Sequence, residues 1–241
     1  MSEDFPLLSV ILPTYNAAGF INDAIRSIQE QDYPKLEIIV VDDGSTDATR
    51  EAVASHPGTV RYVRQENQGP AGARNHGLRL ARGSLVTFLD ADDVWVPGTL
   101  NLLAQQLHDN PQAGIVLGRV QYARLFTDST GNHRTEPFGE PCISFNLGAG
   151  MFRRQVFERV GFFAAGYHSS DDVDWFMRAR EVSVVIDLLD AVVLVYRRHG
   201  RNLTQDREIS HRDLVRALKK SLDRRRQLHR ATSLPSLAQQ K

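Results

Sequence analysis

Apolar positions in the first hundred residues fall into short blocks that alternate between two rhythms. The block Leu8 to Leu12 reads as a strand that Pro13 ends, after which Ile21, Ala24, Ile25 and Ile28 recur at helical spacing. Ile38 to Val41 is continuous and β-branched, the pattern of a strand buried on both faces. Val60 to Val63 reads as a third strand. Pro70 then opens a helix through Leu78 and Leu80 that Gly83 is placed to stop, and Leu85 to Leu89 is a fourth strand. Strands separated by helices predict right-handed βαβ crossovers and an α/β fold with a mostly parallel, Rossmann-like central sheet flanked by helices. Ligands of such sheets bind beyond the carboxyl ends of the strands, where Tyr15, Asp43 and Asp90 all fall.

From about Val120 the rhythm changes. The stretch from Asp128 to Pro141 is rich in Gly, Asn, Pro and charge and reads as a long loop. Arg153 to Val160 reads as a short helix closed by Gly161, and Asp171 to Glu181 as another. Val182 to Ile186 and Ala191 to Arg197 read as two strands. The expected organisation is one domain over 1–204, with a nucleotide-binding half (5–119) and a smaller mixed acceptor-side half (120–204). A basic helix follows from Gln205 to about Arg230, then a loose tail over 231–241.

Composition narrows the picture. With 29 Lys and Arg against 29 Asp and Glu, the formal net charge is zero, which gives no general attraction to nucleic acid. Cys142 is the single cysteine, so no internal disulfide can form and a reducing, cytoplasmic setting is expected. No apolar run approaches the roughly 20 residues that span a bilayer.

The densest chemistry follows Leu89, where Asp90, Asp92 and Asp93 crowd together. Like charges this close repel unless a cation joins them, and Asp90 and Asp92 can both reach one Mg2+ or Mn2+. An acidic turn capping the helix after Pro97 is the other reading. Tyr15 could stack on a nucleotide base or pack on a neighbouring helix. Asp43 could accept a base N–H or cap a helix. Arg74 could face the strand ends or pair with an acid on its own helix. The turn after the first strand lacks G-x-G-x-x-G, which argues against a dinucleotide enzyme, and a nucleotidyltransferase would need a Gly- and Lys-rich loop there.

Four segments stand in order: Pro13-Thr14-Tyr15-Asn16, Asp42-Asp43-Gly44-Ser45-Thr46-Asp47, Asn67-Gln68-Gly69 through Ala73-Arg74-Asn75, and Asp90-Ala91-Asp92. In that order and spacing they resemble the family 2 glycosyltransferases, over roughly residues 7 to 204. The resemblance implies a GT-A fold and inverting transfer of a sugar from a nucleoside diphosphate donor, UDP- or dTDP-linked, to a saccharide, lipid-linked or other hydroxyl acceptor. It places Pro13, Thr14, Tyr15, Asp43, Arg74, Asp90 and Ala91 at the nucleotide sugar, and Asp90 and Asp92 at a Mg2+ or Mn2+ ion. Ser169-Ser170-Asp171-Asp172-Val173-Asp174-Trp175 resembles the family's acidic pair followed by x-Asp-aromatic, which makes Asp172 the catalytic base. Asp171 departs from the commoner Glu at that place. Acids enriched in the first turn of a helix are the other account of this run. Tyr196-Arg197-Arg198-His199 resembles the family's terminal aromatic-Arg-x-His segment, with His199 at the metal or diphosphate and Arg201 close to phosphate. A nucleotide-sugar-binding module without catalysis is the alternative on the same fold.

In the C-terminal helix Leu214, Leu218, Leu222 and Leu228 lie near one face, beside Lys219, Lys220, Arg224, Arg225 and Arg226. The leucines are expected to dock on the domain. Peripheral contact with a partner, or with anionic lipid at the inner face of the membrane, is the sharper expectation.

Overall fold

The protein is seen in a computed structural model that describes residues 5–56, 58, 60–203 and 206–227. The four expected strands are present as β1 (Leu8–Thr14), β2 (Leu36–Asp42), β3 (Val60–Arg64) and β4 (Leu85–Phe88). They pair in parallel in the order β3-β2-β1-β4. β1 continues through Pro13, where a stop was expected. Ile11 bonds toward β4 and Thr14 toward β2, so the nitrogen of Pro13 faces the β4 side beyond the last pair there, Ile11 with Phe88. No ladder bond is lost.

Alternation along these strands feeds two cores. Leu8, Val10 and Leu12 face α1 (Ile21–Gln29) and α4 (Thr99–Asp109). Ile11, Ile39 and Val41 face α3 (Gly69–Leu80), α5 (Arg154–Val160) and α6 (Asp171–Glu181). α3 lies close on the sheet because Gly77 has no side chain: a Cβ there would sit 2.3 Å from Ile11 Cγ2. Trp175 is fully buried and packs in the second core.

The second half adds β5 (Val94–Trp95), β6 (Ile115–Thr127), β7 (His133–Pro137), β8 (Cys142–Ile143), β9 (Gly150–Arg153) and β10 (Ile186–Arg198). The path through the sheet is β3-β2-β1-β4-β9-β6-β10-β5, with β7 and β8 on β6, and β9 runs antiparallel to both its neighbours. Two expectations change. The supposed loop from Asp128 to Pro141 contains β7, which pairs antiparallel with β6 from Thr127↔His133 to Ala123↔Pro137. Of the strand read over 182–186 only Ile186 is extended, where β10 begins; β10 then runs through 187–190, where no strand was expected, and on through the strand read over 191–197. Val182 to Val185 form the turn after α6, with Ser183 at φ +55°, and the pairing of β10 with β6 is irregular between Leu188 and Leu194.

α7 (Arg207–Gln227) docks on α6, but not through its leucines. Asp213, Ala217 and Ser221 are its buried positions, while Leu214, Leu218 and Leu222 are exposed. Ion pairs hold the contact instead: Arg224 reaches both oxygens of Glu181, at 2.6 and 3.0 Å, and Asp174 at 3.1 Å. Leu228 and the expected tail lie outside the described residues. Among the described residues no helix is long and apolar enough to cross a membrane.

Candidate active site

The site is built where β1, β2 and β4 end and where α6 begins. Asp90 follows β4, and Arg74 reaches it from α3 with Nη2 donating to Oδ1 at 2.8 Å. The other arm of the guanidinium, Nη1, donates to Asp171 Oδ2 at 2.7 Å across 97 positions of sequence. Arg74 is buried, and the flanking carboxylates raise its pKa against the desolvation that lowers it. Arg74 thus faces the strand ends and bridges two carboxylates from outside its own helix.

Asp171 and Asp172 form the first turn of α6. Val173 N–H donates to Asp172 Oδ1 at 2.7 Å. Burial, then the charge of Asp171, push the Asp172 carboxyl up to about 7, against the pull of Arg74. Asp90 is also raised, by desolvation foremost, although Arg74 opposes it.

Asp92 faces a different set. His199 Nε2 lies 3.1 Å from its Oδ2, and Asn202 Nδ2 donates to the same oxygen at 3.1 Å. Arg201 N–H donates to His199 Nδ1 at 3.1 Å, so the neutral ring carries its hydrogen on Nε2, toward Asp92. Phe20 stacks on the imidazole at 4.4 Å and 21°, and on its own flank meets His133 of β7 at 5.5 Å. Asp23 of α1 joins this assembly, accepting from Arg197 Nη1 at 2.7 Å and lying 2.6 Å from His133 Nδ1. Arg197 Nε in turn donates to the Asp92 carbonyl. Asp93 is buried, and desolvation with the charges of Asp92 and Asp90 pushes its carboxyl well above the usual range.

The third corner lies at the end of β2. Asp43 is buried, and its Oδ1 accepts from Gln65 Nε2 at 2.7 Å and from Gln68 N–H at 2.9 Å. Gln65 Oε1 lies 2.6 Å from His76 Nδ1 on α3. An open cleft of about 480 Å³ adjoins this corner, lined by Gly44, Arg64, Gln65, Glu66 and Asn67. Gly44 turns at φ +84°, which keeps the loop low beside Asn67.

The residues singled out from the sequence thus fall into groups. Arg74, Asp90, Asp171 and Asp172 meet at one corner, and Asp92 and His199 at the next. Asp43 sits with partners that sequence reasoning missed, Gln65 and His76. Tyr15 is exposed at the end of β1, Thr14 and Ala91 are buried, and Pro13 lies between them in exposure. Phe20, Asp23 and His133 were also missed; they touch through long-range pairing that no local pattern encodes.

Residues 9–175 match the model described as Glycosyl transferase family 2. The GalNAc(5)-diNAcBac-PP-undecaprenol beta-1,3-glucosyltransferase of Campylobacter jejuni is 44% identical over 109 residues, covering 43% of this chain and 35% of that protein. The matched segment spans between 35% and 51% of the length of three curated relatives. Mannosyltransferase PcManGT from Pyrobaculum calidifontis, solved with GDP-Man and Mn2+, is 28% identical with a TM-score of 0.73, covering 97% of this chain and 67% of that one. TarS 1-349 of S. aureus, solved with UDP-GlcNAc, has a TM-score of 0.75 over 97% of this chain and 69% of that one; at 21% identity the likeness is one of GT-A fold. With the family model covering most of its length, this chain belongs to glycosyl transferase family 2.

Proposed function

We propose that the protein moves a sugar from a nucleoside diphosphate sugar, UDP- or dTDP-linked, to an acceptor hydroxyl by a single inverting displacement. The observation that carries this reading is the half-buried carboxyl of Asp172, held near neutrality beside the Arg74–Asp171 pair. A carboxylate with a pKa near the working pH is suited to take a hydroxyl proton as the oxygen attacks. Asp172 accepts that proton while the acceptor oxygen bonds to the anomeric carbon and the diphosphate leaves with the bonding pair. One base suffices because no sugar–enzyme bond forms.

The donor chemistry at the neighbouring corner fits a hard dication, Mg2+ or Mn2+. Asp90 and Asp92 offer carboxylate oxygens, and their charges already press on buried Asp93, a strain that a cation relieves. Among the described residues no group of three or more His, Cys, Asp or Glu gathers, and Asp90 and Asp92 are the carboxylates that would hold the ion. When bound, such an ion offsets charge on the departing diphosphate. With its Nε2 hydrogen aimed at Asp92, His199 orients that carboxylate in this arrangement rather than supplying a lone pair. The Mn2+ in the Pyrobaculum complex supports this reading.

A lipid-linked acceptor, as in the Campylobacter relative's name, suits a peripheral seat on anionic membrane. The outward face of α7 carries exposed Leu214, Leu218 and Leu222 beside exposed Arg212, Lys219 and Arg226, a pairing of apolar and cationic surface that matches such a bilayer. Sedimentation of the full chain with phosphatidylglycerol vesicles should fall in a Leu214→Ser/Leu218→Ser/Leu222→Ser variant; equal pelleting removes the membrane contact.

The central test is turnover of nucleotide sugars by Asp172→Asn and Asp92→Ala variants. Both should lose transfer by about two orders of magnitude or more. Near-wild-type rates in either overturn the role given to that residue, and an α-linked product from an α-linked donor overturns inversion.

A further inference from the structure

The hydrogen bonds around Asp43 run in one direction. A carboxylate can only accept, so Gln65 must turn its NH2 toward Asp43 and its carbonyl toward His76. His76 must then carry hydrogen on Nδ1, because Gln65 Oε1 is itself an acceptor. The result is a relay of donors, His76 to Gln65 to Asp43, braced at its last step by Gln68 N–H. Both donors end on Oδ1 of Asp43, at 2.7 and 2.9 Å, which fills the two lone pairs of that oxygen. Oδ2 is the oxygen left to meet a ligand, and Asp43 is too deeply buried to turn freely. The backbone pins both ends as well: Asp43 N–H donates to Thr14 O at 2.8 Å, and Gln65 N–H donates to Asp42 O at 2.9 Å.

A fixed carboxylate with one oxygen saturated does not read all bases alike. Uracil and thymine present a single ring N–H between two carbonyls, which one acceptor oxygen satisfies. Guanine presents a ring N–H and an adjacent amino group, and a carboxylate binds that pair well only with both oxygens free. The geometry points to Gln65 and His76 as positioning residues that make Asp43 select a pyrimidine with a ring N–H and reject guanine. His76 lies on α3 two residues from Arg74, so one helix sets both the base-reading carboxylate and the carboxylates of the catalytic corner. This rests on the nucleotide-sugar reading above and names the residues behind its preference for uridine or thymidine donors, in contrast to the guanosine donor in the Pyrobaculum complex.

The experiment is calorimetric titration of the full chain with UDP and with GDP, for wild type, Gln65→Met, His76→Phe and His76→Asn, with thermal midpoints recorded alongside. Wild type should favour UDP by about tenfold or more, the worth of one good hydrogen bond. Gln65→Met and His76→Phe should narrow the UDP-to-GDP ratio by about tenfold, while His76→Asn, whose side-chain amide can replace the Nδ1 donor, should restore it. A loss of general packing lowers both affinities together and leaves the ratio alone. An unchanged ratio in Gln65→Met and His76→Phe, or wild type binding GDP as tightly as UDP, overturns the assignment. Selective UDP binding without sugar transfer would sink the catalytic reading and leave this one standing.

Discussion

Replacing Asp172 with asparagine separates the role proposed for this carboxyl in transfer from what the carboxyl costs the fold. In the unfolded chain this carboxyl ionises near 3.8; in the folded protein, burial and Asp171 hold its proton to about 7. The sign follows directly. A carboxyl that binds its proton more tightly when folded favours the fold fully below about pH 4 and loses that favour as pH rises through about 7. The interval corresponds to roughly 4 kcal/mol at about 1.36 kcal/mol per pH unit, and solvent contact at the exposed edge of the carboxyl reduces it to about 2 kcal/mol. Asparagine has no charge to bury and retains the oxygen that accepts from Val173 N–H. The Asp172→Asn variant should therefore match wild type near pH 4 and exceed it by about 2 kcal/mol above pH 7. Urea unfolding at pH 5 and pH 8, followed through the buried Trp95 and Trp175, reads this difference, with transfer rate measured on the same samples. A stabilisation that is flat with pH, or that grows toward acid, would refute the account of the carboxyl's environment.

Other perturbations test the packing around the site. Arg74→Met leaves the buried Asp171 carboxyl without its partner, and should lower stability by about 3 kcal/mol in urea, with Arg74→Lys recovering only part of it because one ammonium cannot span both carboxylates. Arg224→Ala strips Glu181 and Asp174 of their shared cation; it should cost about 2–3 kcal/mol and make α7 the first segment cut in limited proteolysis. Gly77→Ala should cost about 1–3 kcal/mol of thermal stability by pressing on Ile11, and Ile11→Ala in the same chain should relieve part of that strain.

The first half of the chain was legible because β1, β2 and β4 are largely buried and α1 is strongly amphipathic, so burial writes its pattern into the sequence. β7 was not, since four of its five residues are exposed and nothing apolar alternates. The start of β10 was placed too early because the apolar residues Val182, Val184 and Val185 belong to a turn, and its irregular pairing with β6 between Leu188 and Leu194 hides the strand through 187–190. The leucines of α7 misled for a related reason: they are its most conspicuous repeat, yet the contact with α6 is made by charged and small residues that carry no such signal. In the site, the residue types and their strand-end positions were readable one at a time. The bonds that give them roles were not, because Arg74 to Asp171, His199 to Asp92 and Asp23 to Arg197 each close across 97 or more positions.

The guanidinium of Arg74 also sets a rule for recombination. It lies in the first half of the chain, and one of its two carboxylates lies in the second. A chimera cut near residue 112, between α4 and β6, would keep both elements whole and still pair an arginine from one parent with an acid from another. Grafts meant to change the acceptor should therefore inherit α3 and α6 from the same ancestor, or carry compensating changes at both ends of that bridge.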